Sequence, residues 1–85
     1  MAEVIVTFRI MPKDVDVDLD KLEDKIKALV KPERIRREPI AFGLVALNAT
    51  KLIPESGGEL EMVENKIKSI EGVGGVEVTE VTRSL

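Results

Sequence analysis

Eighty-five residues with 13 basic and 16 acidic side chains, a formal charge of -3 at pH 7, are the length of one small domain. The absence of Cys and His removes thiol nucleophiles, Ser-His-Asp triads, disulfides and ordinary zinc sites. Hydrophobic residues at 44% support a packed core, the negative balance argues against a general nucleic-acid coat, and no apolar run approaches the roughly 18 residues of a membrane span.

The first segment, Glu3 to Met11, is rich in β-branched residues and alternates. Val4, Val6, Phe8 and Ile10 fall on one face and Ile5, Thr7 and Arg9 on the other, which predicts a strand ended by Pro12. Asp14, Asp16, Asp18 and Asp20 follow at alternate positions. Leu19, Leu22, Ile26 and Leu29 then recur with the spacing of a helical stripe, closed by Pro32. Either Asp18 or Asp20 can serve as N-cap, Asp20 with Glu23 has capping-box spacing, and Glu23 with Lys27 forms an i,i+4 pair.

Glu33 to Glu38 reads as a short basic strand, followed by Pro39-Ile40-Ala41-Phe42-Gly43. Leu44 to Ile53 is again a strand, and Pro54, Ser56, Gly57 and Gly58 make a loop. Leu60, Val63, Ile67 and Ile70 repeat the helical spacing, with Gly72 as the stop, and Val76 to Arg83 is the last strand. The two stripes are offset by 41 residues (Leu19 to Leu60), and the same shift lays Val4 on Val45, Val6 on Leu47 and Phe8 on Ala49. Two strand–helix–strand halves predict an α+β ferredoxin-like βαββαβ sandwich: a four-stranded antiparallel sheet with two helices on one face, in a single domain spanning 1–85.

Most candidate chemistry has a simpler reading. The Asp14-x-Asp16-x-Asp18 run resembles the start of a calcium loop. Leu19 and Lys25 stand where an EF-hand needs Gly and Glu, so capping explains it better. Ser56-Gly57-Gly58 and Gly72-Val73-Gly74-Gly75 lack the Lys-Ser/Thr or strand–helix context of a phosphate loop. No two carboxylates are marked as partners in a cleft, and an acylphosphatase-like hydrolase would need a phosphate loop beside Asn48 or Asn65. The chain reads as a binder rather than an enzyme. An RNA-stacking face is disfavoured because Phe8 belongs with the core, leaving Ile5, Thr7, Arg9, Thr79 and Val81 exposed.

Three features stay open at this level. Lys31, Arg34, Arg36 and Arg37 form a basic cluster that either guards an edge strand or meets an acidic partner surface or ribosomal RNA. Phe42 either plugs the core or stands out as an anchor for a partner. Arg83, near the chain end, is either solvated or able to reach an anionic pocket.

Met11-Pro12-Lys13-Asp14 through Leu19, Pro39-Ile40-Ala41-Phe42-Gly43-Leu44 and the ending Val73 to Leu85, in this order and spacing, resemble the archaeal elongation factor 1-beta family, the guanine-nucleotide-exchange domains of translation elongation factor 1. The resemblance covers essentially the whole chain. It implies the ferredoxin-like fold and exchange of GDP for GTP on the GTPase elongation factor 1-alpha. The charge balance and lack of a membrane-length apolar run already read as a cytoplasmic chain, and no cofactor, direct nucleic-acid contact or membrane contact is expected. In the eukaryotic domain a lysine near the C-terminus enters the GTPase's magnesium and phosphate region, and Arg83 stands at that place. Lys13, Asp14, Pro39, Phe42, Gly43, Ser84 and Leu85 are the implied docking residues, Lys13 standing where the eukaryotic domain has Trp. The alternative is a ferredoxin-like regulatory or interaction module that binds a small ligand or dimerises through its sheet.

Overall fold

The alternation of the first segment becomes strand β1 (Glu3–Pro12), which buries Val4, Val6, Phe8 and Ile10 and turns Ile5, Thr7 and Arg9 to the other face. The computed structural model describes residues 3–54 and 58–83. In it β1 is followed by α1 (Leu19–Val30), β2 (Arg34–Pro39), a 3-10 turn (Ala41–Gly43), β3 (Val45–Pro54), α2 (Glu59–Lys68) and β4 (Val73–Arg83). The strands form one antiparallel sheet in the order β2-β3-β1-β4. This is the expected ferredoxin-like sandwich.

A single core joins one face of the sheet to both helices: Val6, Phe8, Ile10, Leu47, Ala49 and Ile53 meet Leu22, Ile26, Val63 and Ile67. The register explains how it fills. Phe8, the largest side chain of the core, lies opposite Ala49, the smallest, while Ile10 pairs with Leu47 and Val4 with Ile53. The 41-residue offset places equivalent residues on this same face, Val6 with Leu47 and Leu22 with Val63.

The structure corrects several local expectations. Leu29 is exposed and Val30 is buried in its stead, because the apolar ridge of α1 runs 22, 26, 30. Asp18 is the N-cap, accepting a hydrogen bond from Lys21 N at 3.2 Å, which leaves Asp20 and Glu23 available to other partners. α2 ends at Lys68, before Gly72, and Ile70 reaches the core from the turn that follows. β4 begins at Val73, three residues earlier than its apolar alternation suggested. Within β4 a register shift opposite Thr7 and Phe8 pairs Val81 with Val6, so Val81 is exposed as expected but on the helix-covered face rather than the open one.

Candidate functional site

The chain direction of each strand sorts the candidate residues into two groups. The loop after β1, the turn after β2, and the starts of α1 and β4 gather at one end of the sheet. The end of β4, the start of α2 and the end of β3 gather at the other. Lys13, Asp14, Pro39, Phe42 and Gly43 are all exposed at the first end, and Arg83 is exposed at the second. Arg83 pairs with Val4 and Lys13 follows Pro12, so the two groups are separated by most of β1, about 25 Å at the rise of a strand. Ser84 and Leu85 lie outside the described residues, as do Ser56 and Gly57 of the expected loop.

At the loop end the backbone is closely tied. Lys13 N donates to Gly72 O at 2.8 Å, joining the β1 loop to the start of β4. A Cβ at Gly74 would sit 2.9 Å from both Lys13 Cα and Pro12 O, so only glycine lets these two chains cross. Asp14 Oδ1 accepts from Asp16 N at 2.9 Å, an Asx turn, and Asp18 caps α1. The acidic run is thus employed in turn and cap. A groove of about 350 Å³ runs between this loop, the first turn of α1 and Gly72.

Phe42 resolves in favour of the exposed alternative, at 94% exposure. Its backbone is left-handed (φ 62°, ψ 29°), as is Gly43 (φ 77°), inside a turn closed by Ile40 N to Leu44 O at 2.9 Å. An aromatic residue holds that conformation at a cost of about 1 kcal/mol or more, and here it carries the ring away from the sheet.

At the other end Arg83 closes β4 beside α2. A recess of about 390 Å³ is lined there by Val4, Ile53, Glu59, Leu60, Val81 and Arg83, so the cation shares it with apolar surface and one carboxylate.

The expected basic cluster is divided by the sheet. Arg37 shares the helix side with Leu47 and hydrogen-bonds Glu23 at 2.7 Å and also Asp20, linking β2 to α1. Glu23 therefore serves Arg37 rather than Lys27, and both acidic partners, Glu23 first, raise the Arg37 pKa. Arg34 and Arg36 pair with Thr50 and Asn48 on the open face, and Lys31 is the left-handed cap of α1.

A second polar network, which the sequence reading missed, crosses the open face from strand to strand. Arg9 on β1 contacts Glu38 on β2 at 2.9 Å and Glu77 on β4 at 3.6 Å, and Asn48 on β3 donates to the same Glu38 oxygen at 3.2 Å. Its only advance signals were an Asn in mid-strand and an Arg alternating with core residues. The hydrogen bond from Arg9, then that from Asn48, holds the Glu38 carboxyl below its ordinary range. A depressed carboxylate contributes stability above the unfolded value, near about 4.3, and that contribution is lost as pH falls through the folded value. The Tm advantage of the wild type over Glu38→Gln is therefore expected to shrink between pH 5 and about pH 3. Circular-dichroism melts across that range check this, and a constant difference refutes it.

The fold and the placement of these residues define a ferredoxin-like domain that presents projecting side chains at both ends of its sheet. Residues 5–83 match the EF-1 guanine nucleotide exchange domain model, and the chain belongs to that family. It is 42% identical to elongation factor 1-beta of Methanothermobacter thermautotrophicus, 43% identical to that of Staphylothermus marinus, each match covering 98% of both chains, and 37% identical to that of Thermoplasma acidophilum, over 96% of this chain and 98% of the relative. This membership favours nucleotide exchange over the small-ligand or dimerising module. Among the described residues no helix is long and apolar enough to cross a membrane.

Proposed function

We propose that this chain is a cytoplasmic guanine-nucleotide exchange factor for elongation factor 1-alpha, acting by occupancy rather than by bond making. The observation that carries the reading is the family match over residues 5–83, which spans both ends of the sheet and finishes on Arg83. A GTPase holds its nucleotide through magnesium and a phosphate-binding loop. A guanidinium brought into that region competes for the same anionic groups and loosens both holds.

The distance between the two ends supports giving them separate tasks. A side chain about 25 Å from Arg83 cannot touch the same phosphates, so Lys13, Asp14, Pro39, Phe42 and Gly43 dock on a different part of the GTPase surface. Docking at the loop end supplies affinity and sets the orientation of the sheet, and Arg83 at the strand tip disturbs the nucleotide site.

Exchange requires reciprocal negative coupling between nucleotide and factor on the GTPase. The chain is expected to bind nucleotide-free elongation factor 1-alpha about tenfold or more tightly than the GDP-bound form, within the usual range of such couplings. Calorimetric titration of the two forms measures this. Equal affinities refute exchange by this route, since a factor indifferent to the nucleotide cannot displace it.

A further inference from the structure

Five large apolar side chains stand exposed among the described residues, and the two most exposed are Phe42 at 94% and Val15 at 62%. They come from loops far apart in sequence, yet Val15 Cγ1 lies 4.0 Å from the point a Cβ would occupy on Gly43, the neighbour of Phe42. Val15 is the central residue of the Asx turn in which Asp16 N donates to Asp14 Oδ1, so the turn presents it at its apex. Lys13, Asp14 and Asp16 are exposed around it. The loop end therefore presents two exposed apolar side chains from neighbouring loops, with charged residues beside Val15, the composition of a binding hot spot.

We propose that Val15 is a further contact residue, forming with Phe42 a joint apolar tip that enters a single apolar recess on the GTPase. This rests on the exchange reading and on docking through Phe42. The left-handed backbone at Phe42 and Gly43 accompanies the exposed Phe42 ring, and Val15 stands within ordinary contact distance of Gly43. Asp14 then acts in docking chiefly as the positioning residue of the Val15 turn.

GDP release from elongation factor 1-alpha, followed over a concentration series of the wild type, Val15→Ala, Phe42→Ala and the double variant, tests the tip. Each single change is expected to raise the half-saturating concentration by about fivefold or more, the loss of methyl or ring burial, with the maximal rate held within about twofold. The double variant is expected to lose less than the product of the two, because one recess receives both side chains. Val15→Glu, tolerable on an exposed turn, is expected to lose more than Val15→Ala without altering the thermal melt. If both Val15 variants match wild type while Phe42→Ala is impaired, the Val15 proposal is overturned and docking through Phe42 stands. If Phe42→Ala also matches wild type, docking at this end is itself wrong.

Discussion

Replacing Arg83 by Ala is expected to lower the maximal rate of GDP release from elongation factor 1-alpha by about tenfold or more, equivalent to roughly 1.4 kcal/mol in the barrier. The fold is expected to persist, because Arg83 is exposed at the end of an edge strand and takes no part in the buried core. The half-saturating concentration should change less than the maximal rate, since docking falls to the loop end about 25 Å away. Arg83→Lys is the informative companion. A lysine keeps the charge while losing the planar fork, so it should retain most of the rate if charge competition is the cause. Stopped-flow release of a fluorescent GDP measures both variants. An unchanged maximal rate for Arg83→Ala removes Arg83 from the mechanism.

Phe8→Ala is expected to be the most damaging single change to the fold. Phe8 is 1% exposed on the central strand β1, between Ala49 on β3 and Val78 on β4. Its small neighbour Ala49 cannot fill the space, so the cavity persists and the loss is about 3–5 kcal/mol. A domain of this size has about 5–15 kcal/mol in all, and the Tm should fall by roughly 15–30 °C. With two Phe and neither Trp nor Tyr the chain lacks a useful fluorescence probe, so far-UV circular dichroism is the measurement. A fall of only a few degrees would mean that the core does not depend on this residue.

The fold was legible in the sequence because each element buries one regular face. β1 alternates without interruption, and both helices repeat their stripe 41 residues apart, so period and order together defined the βαββαβ sandwich. The misreadings fall where tertiary contacts overrule local pattern. Leu29 and Val30 are adjacent and both apolar, and only the direction of the ridge across the sheet decides which is buried. Val81 changed faces because one bulge in β4 inverts the alternation beyond it, and no composition signal marks a bulge there.

The candidate site was legible residue by residue but not as an arrangement. Phe42 drew notice as an aromatic between strands. Its exposure depends on the left-handed backbone at two successive residues, which sequence did not reveal. Val15 was hidden within an acidic run explained by capping, and its neighbour Gly43 lies on another loop. That Arg83 and the loop-end candidates Lys13, Asp14, Pro39, Phe42 and Gly43 occupy opposite ends follows from strand direction and register, once the sheet order is known.

The most direct measurement is the release of fluorescent GDP from elongation factor 1-alpha in the presence of magnesium and excess unlabelled nucleotide, with and without this chain. The expected result is a release rate that rises with the concentration of the chain to a plateau, and complete turnover at amounts well below those of the GTPase. A release rate that stays at its unassisted value across the whole concentration series contradicts the exchange function.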